Sequence, residues 1–333
     1  MSEQLRIGLL GASRIAELAV TEASRETGDV RAAVAARDPE RARAYAAEHG
    51  YEGIREGYEE LIADDSLDLI YIGLPNGLHA TWTIEALRAG RNVLVEKPFA
   101  SNLAEFNIVA AELERSPGWA WEAFHYADHP LMSRLIEVVR SGEIGEVREL
   151  RVNMLMPPPP ASDPRWNFDL AGGTMMDLGC YAINGLLLLG ASLGLPLELR
   201  SAESTPYGPD PRLDATVHAE FVLGDAPATM RTSMESLEWD FSFEVRGTSG
   251  SVRAPNFVKP QEDDRLLVRV GDVERIERLG IVSSYTYQLQ RIRQAIRSGE
   301  HSVDALGRSR RTAELIDAVY AMSGLPLRPG RLS

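Results

Sequence analysis

The sequence predicts an α/β chain in two parts, a doubly wound parallel sheet followed by a C-terminal α+β domain on a large, mainly antiparallel sheet. Three observations carry this. Short apolar runs alternate with amphipathic stretches through the first third, a glycine turn joins the first run to the first amphipathic stretch, and period-two alternation takes over from about residue 147.

In the first part the apolar runs predict strands over 5–10, 30–36, 67–74 and 92–95. Between them, helices are expected over 15–26, 39–49 and 81–89, the last ended by Gly90. Strands that are apolar throughout and alternate with helices belong to a parallel sheet covered on both faces, wound by right-handed crossovers. In the second part Leu150, Val152, Met154 and Met156 alternate with polar positions. So do Ala215, Val217, Ala219 and Phe221, then Met230, Thr232 and Met234, then Phe241, Phe243 and Val245. That period reads as antiparallel strands with one covered face, and Gly247-Thr248-Ser249-Gly250 as the turn of a meander. Helices are expected over 131–141, 173–190, 285–298 and 304–322. The domains are drawn at 1–122 and 123–333, Pro157–Pro160 is a stiff loop, and no internal repeat is visible.

Composition narrows the function. With 333 residues, 44% hydrophobic and 25% charged, the chain can bury about two domain cores. Its 49 acidic against 35 basic side chains give a net charge of −14, which argues against nucleic acid and anionic membrane as partners. Cys180 is the single cysteine, so no intrachain disulfide forms and a reducing, cytoplasmic location is expected. No basic, apolar, cleavable leader opens the sequence, and the oily run over 185–195 is too short to span a bilayer.

The first strand runs into Gly11-Ala12-Ser13-Arg14-Ile15-Ala16, a dinucleotide fingerprint with serine and alanine at its second and third glycines. Gly11 permits the tight turn and Ala16 is small enough for close packing of helix on strand. Ser13 limits backbone approach, while its hydroxyl can donate to a phosphate oxygen at the helix N-terminus. The second strand ends at Ala36-Arg37-Asp38 with no acid before the arginine. Arg37 suits a 2′-phosphate, so NADP(H) is preferred over NAD(H), which stays the alternative. Asp38 before Pro39 reads as a helix N-cap. The six histidines offer only one close pair, His125 and His129, ahead of Pro130, and no metal is expected.

Together GLLGASRIA, LPNGLH, EKP and AGGTMMDLGCYAIN resemble the Gfo/Idh/MocA family of oxidoreductases over nearly the whole chain. The resemblance is to the branch with glucose–fructose oxidoreductase, dihydrodiol dehydrogenase and xylose dehydrogenase, which has tyrosine where inositol dehydrogenases have histidine. It implies an N-terminal Rossmann domain and a C-terminal sheet that also makes a homodimer or homotetramer. By resemblance, Lys97 of Glu96-Lys97-Pro98 is the proton-exchanging lysine, placed where the strand ends meet the nicotinamide. Tyr181 is the acid/base or substrate-orienting phenol, and which of the two finally moves the proton is open. Asp177, four residues before Tyr181, shares its helix face and is expected to orient the lysine or a substrate hydroxyl, with Asn184 extending the polar stripe. Leu74, Pro75, Asn76 and His79 form the turn over the cofactor. Locally, Asn76 also reads as an N-cap and His79 as the first residue of a helix. His125, Arg165, Trp166 and Asn184 are the expected substrate contacts, although Ala127 stands where relatives carry an arginine. The expected reaction is hydride transfer between nicotinamide and the carbinol or carbonyl carbon of a polyhydroxylated small molecule, a sugar, polyol or cyclic dihydrodiol. An imine, biliverdin or sugar-nucleotide reductase and a non-catalytic sensor are the alternatives. The chain starts directly at its first strand, so an exchangeable cofactor is expected, without the N-terminal arm that clamps it in glucose–fructose oxidoreductase.

Overall fold

The computed structural model describes residues 4–332. These form two compact units. One holds residues 4–124, Tyr285–Leu306 and 330–332, and the other His125–Ser284 with Gly307–Pro329.

In the first unit β1 (Arg6–Leu10), β2 (Val30–Ala35), β3 (Gly53–Arg55), β4 (Leu69–Ile72), β5 (Val93–Val95) and β6 (Ala120–Glu122) are all parallel, in the order β3-β2-β1-β4-β5-β6. Every residue of β4 and β5 is buried, because helices cover both faces. Strand order reverses between β1 and β4, which opens a crevice beyond their carboxyl ends. The turn at Gly11, Arg37, Leu74 and the Glu96–Lys97 pair all follow carboxyl ends of strands in this sheet. Asp38 caps the helix Pro39–His49 as expected, its side chain accepting from the Glu40 N–H. The expected helix over 15–26 is helical over 14–27, with a π segment at Glu17–Glu22 that apolar spacing does not foretell. Two short helices, Tyr58–Ala63 and Leu103–Leu113, complete the crossovers. Tyr285, Leu289 and Ile292 from the late helix Ser284–Ser298 bury themselves in the same core as Leu9, Ala12 and Trp121.

The second unit holds β7 (Val147–Leu155), β8 (Leu197–Tyr207), β9 (Asp210–Leu223), β10 (Ala226–Ser233), β11 (Phe243–Gly247), β12 (Gly250–Ala254), β13 (Arg265–Val270) and β14 (Val273–Arg278). They lie in the order β14-β13-β12-β11-β7-β10-β9-β8, antiparallel except for β7 against β10. Leu150, Val152, Met154, Met230, Phe243 and Val245 are fully buried on one face. On that face lies the helix that begins as a π segment at Met175–Gly179 and continues as Cys180–Leu193. A Cβ on Gly185 would sit 3.0 Å from the Phe243 ring, so glycine lets helix and sheet close up. The apolar stretch Phe168–Leu193 is long enough to cross a bilayer, longer than the run over 185–195 suggested, yet 67% of its apolar window is buried as a core helix's is.

One ion pair fixes the start of this helix. Asp214 on β9 and Arg328 near the chain end are both fully buried and bonded to each other. Asp214 also accepts from the Met175 N–H and, at 3.2 Å, from the Tyr320 hydroxyl, while Arg328 Nε donates to the Gly172 carbonyl at 2.6 Å. Gly173 has φ of 110°, and a Cβ there would land on the Asp214 carboxylate and the Arg328 guanidinium. Gly173 is thus space left for a buried charge pair, while a Cβ on Gly172 would meet the Arg165 and Asn167 carbonyls.

Burial also sets the acid limit of stability. Desolvation draws His79 and His129 below the ordinary 6.5. Between those lowered values and 6.5 the unfolded chain binds more protons than the folded one, so stability rises with pH across that window. It is whole above about 6.5 and is lost as pH falls. The thermal midpoint near pH 5.5 is expected several degrees below that near pH 7.5, read by circular dichroism. An unchanged midpoint would refute this.

Candidate active site

The phosphate-binding turn is built as its residues require. Gly11 sits at φ 105°, where a Cβ would come within 2.7 Å of Leu74 and 3.0 Å of the Gly73 carbonyl. Its N–H donates to the Ala35 carbonyl at 2.8 Å, and Ala16 is fully buried against the sheet. Ser13 caps the helix with extended backbone, yet its hydroxyl makes no cap bond and is buried without a partner among the described residues. It faces Gly73, where a Cβ would stand 2.9 Å from its oxygen. An orphaned donor at the first turn of a helix fits a pyrophosphate, so the residues present suit a dinucleotide.

Positive charge lies at the end of β2. Burial raises the Tyr58 phenol, while a hydrogen bond to the Arg37 backbone and the guanidiniums of Arg37 and Arg41 oppose that rise. Both arginines are exposed. The sequence reading overlooked Arg41, although it stands four residues beyond Arg37 in the first turns of the following helix.

Lys97 and Glu96 are buried beyond β5, and the Lys97–Pro98 bond is cis. Glu96 accepts from the Tyr71 hydroxyl at 2.7 Å, which holds this loop to β4. Two expectations for the turn after β4 change. Asn76 opens a short 3-10 turn, Asn76–Leu78, and caps no helix; the helix starts at His79 with Leu78 in the cap position and no side-chain cap bond. His79 does not face a cofactor, because its fully buried ring lies between the Pro98 carbonyl, 2.8 Å from Nδ1, and the Leu74 carbonyl, 2.7 Å from Nε2. It ties the turn after β4 to the loop carrying Lys97, and so positions rather than binds.

In the second unit Asp177 lies on the π segment and Tyr181 at the start of the α-helical part. Arg165 Nε donates to Asp177 at 2.7 Å and its Nη1 to Asp163 at 3.2 Å, so Arg165 and Asp177 form one pair. Trp166 stacks on Tyr207 with ring centroids 4.0 Å apart and donates to the Pro159 carbonyl. Asn184 is 1% exposed, accepting from the Tyr126 hydroxyl at 2.7 Å and donating to Thr312 at 3.4 Å. Its amide is turned into the fold, which corrects the expectation of a substrate contact. His125 is buried, with Nδ1 2.8 Å from Ser284 Oγ and Nε2 3.2 Å from the Tyr181 hydroxyl. His129 lies apart from that cluster, its Nδ1 accepting from the Leu131 N–H and its Nε2 facing the Gly280 carbonyl. Ser284 escaped the sequence reading because 159 residues separate it from His125 and no motif marks it.

A parallel sheet ending in this turn defines a dinucleotide-binding protein. A sequence model of the GFO/IDH/MocA oxidoreductases, with an NAD-binding Rossmann fold, matches residues 5–124, and one of the GFO/IDH/MocA C-terminal domain matches 132–253. The chain belongs to this oxidoreductase family. It is 34% identical over 321 residues to D-xylose 1-dehydrogenase (NADP(+)) 2 of Haloferax volcanii, spanning 95% of this chain and 96% of that one. It is 33% identical over 338 residues to a dTDP-3,4-didehydro-2,6-dideoxy-alpha-D-glucose 3-reductase of Streptomyces violaceoruber, spanning 95% and 94%. The crystal structure of a 3-ketoreductase from Actinomadura kijaniata in complex with NADP and TDP-benzene matches with a TM-score of 0.87 at 27% identity, covering 96% of this chain and 98% of that one.

Proposed function

We propose that the protein is an NADP(H)-linked oxidoreductase acting on the carbinol or carbonyl carbon of a sugar. The observation that carries this is the buried, unpartnered Ser13 hydroxyl in the dinucleotide turn, with Arg37 and Arg41 at the next strand end. The relatives just described, whose names place them on xylose with NADP and on a dTDP-linked keto sugar, support the substrate class.

In this reading the Gly11–Ala16 turn binds the pyrophosphate through helix amides and Ser13, and the two arginines take the 2′-phosphate. A bound nicotinamide supplies the hydride chemistry. Lys97 and Tyr181 exchange the proton of the sugar hydroxyl, and the Arg165–Asp177 pair orders neighbouring hydroxyls by charge-assisted hydrogen bonds. Subunit association through the C-terminal sheet and a cytoplasmic location belong to the same proposal.

The test is fluorescence titration with NADPH and NADH, followed by reduced-nicotinamide absorbance with D-xylose, D-glucose and myo-inositol. NADPH is expected to bind more tightly, and an aldose to be oxidised with NADP+. Arg37→Asp is expected to weaken NADPH binding by roughly 10–100-fold, a charged hydrogen bond's worth, with little effect on NADH. Equal or tighter NADH binding by the unaltered protein would overturn the arginine assignment, and no turnover of any sugar would overturn the substrate class.

A further inference from the structure

The loop that carries Arg165 is held from outside as well as by its own hydrogen bonds. It runs from Asp163 to Gly173 through two short 3-10 turns, Pro164–Trp166 and Phe168–Leu170. Between the second turn and the glycines stands Ala171, fully buried with φ of 56°. It is the one residue other than glycine with a positive φ among the described residues. An alanine kept in that conformation needs surroundings that over-determine it. The tip of the β8–β9 hairpin supplies them. Tyr207, the last residue of β8, lies on Trp166 with the ring planes 6° apart. Arg212 on β9, bonded to Asp210 at 2.7 Å, sits over the Phe168 ring at 4.5 Å. Within the loop, Asp163 accepts from the Arg165 N–H at 3.0 Å, and the Arg165 carbonyl accepts from the Gly173 N–H at 2.9 Å. Both backbone polar groups of Arg165 are thus fixed, the next residue is clamped by Tyr207, and the Arg165 side chain reaches Asp177 at 2.7 Å. The Tyr207 hydroxyl makes no hydrogen bond among the described residues, so the ring face alone makes the contact.

We propose that Tyr207 is a positioning residue, which by stacking on Trp166 holds Arg165 in place against Asp177 and so sets how tightly the sugar binds. The inference rests on the reading of the Arg165–Asp177 pair as the group that orders substrate hydroxyls. A pair aligned before the sugar arrives loses little freedom when it binds, and that saving appears as affinity. Hydroxyls away from the reacting carbon are held alike before and during hydride transfer. Loosening the pair therefore weakens binding and leaves the chemical step as it was.

Steady-state kinetics with the sugar of highest kcat/KM in the panel above test this. Tyr207→Ala is expected to raise KM by about 5–20-fold, part of a charged hydrogen bond's worth, with kcat and NADPH binding within about twofold. Tyr207→Phe keeps the ring face and is expected to match the unaltered protein. A raised KM in Tyr207→Phe would mean that the hydroxyl itself meets the sugar, and would overturn the positioning role. Arg165→Gln is expected to raise KM at least as much as Tyr207→Ala, and the two together no further, because the second change acts through a group already lost. Effects that multiply in the double variant, or an unchanged KM in Tyr207→Ala, would overturn the inference while Arg165 keeps its role. Circular dichroism checks that each variant folds, and Tyr207→Leu, bulky without a flat face, replaces an alanine variant that does not. An unchanged KM in Arg165→Gln would instead remove the underlying reading of the Arg165–Asp177 pair.

Discussion

Lys97→Ala is expected to lower kcat on sugars by about 10²–10⁴-fold, the usual contribution of a positioned acid or base, while NADPH binding stays near its original value. Lys97 is 9% exposed, and the loop around it is held from two sides. Glu96 is bonded to Tyr71 on β4, and His79 bridges the Pro98 and Leu74 carbonyls. A loop fixed at a strand end in this way presents its lysine from a settled backbone, which favours a defined working geometry. The expected pattern is a fall in kcat and in kcat/KM together, because the lysine is asked to act on the proton in flight. Lys97→Arg keeps the charge but cannot give up a proton near neutral pH, and it is expected to be as impaired as alanine. Retained turnover in either variant would remove Lys97 from the chemistry. Loss of NADPH binding in both would make it a cofactor ligand alone.

The largest structural effect is expected from Arg328. Arg328→Met leaves Asp214 as a buried carboxylate without its cation, which costs about 3–5 kcal/mol. For a unit of this size that corresponds to a drop of roughly 6–20 °C in its thermal midpoint. Adding Asp214→Asn to Arg328→Met removes the stranded charge, and the double variant is expected to recover part of the loss, since the amide oxygen can still accept from the Met175 N–H while the NH2, in the place of Oδ1, donates to the Tyr320 hydroxyl oxygen. Differential scanning calorimetry of the three proteins decides this. A single variant as stable as the unaltered protein would mean that the pair contributes nothing.

What the sequence made legible was whatever repeats along the chain. The apolar runs of β1, β2, β4 and β5 and the alternation at Leu150, Val152 and Met154 are local, and the structure places them in the expected sheets. The phosphate turn was visible because Gly11, Ser13 and Ala16 act within six consecutive residues. Contacts between distant residues were not visible. Nothing near Ser284 points to His125, and nothing near Arg328 points to Gly173. Local reading also misassigned polar residues whose partners are remote. Asn184 looked like pocket lining because it lies near Tyr181, whereas its hydrogen bonds run to Tyr126 and Thr312. The cap expected at Asn76 failed for the opposite reason, since a 3-10 turn intervenes before the helix.

The path of the chain through the first unit bears on how the protein is made. Its sheet is complete by Glu122, yet Tyr285, Leu289 and Ile292, from the far end of the gene, cover the surface that includes Ala12 and Trp121. A nascent chain emerging from the ribosome would carry that surface bare until some 160 further residues had been translated, and at about 5–20 residues per second that lasts roughly 8–30 s. The N-terminal sheet is therefore open to self-association for that interval, and a gene fragment cut after residue 124 is expected to encode a sticky half-core rather than a free-standing nucleotide-binding module.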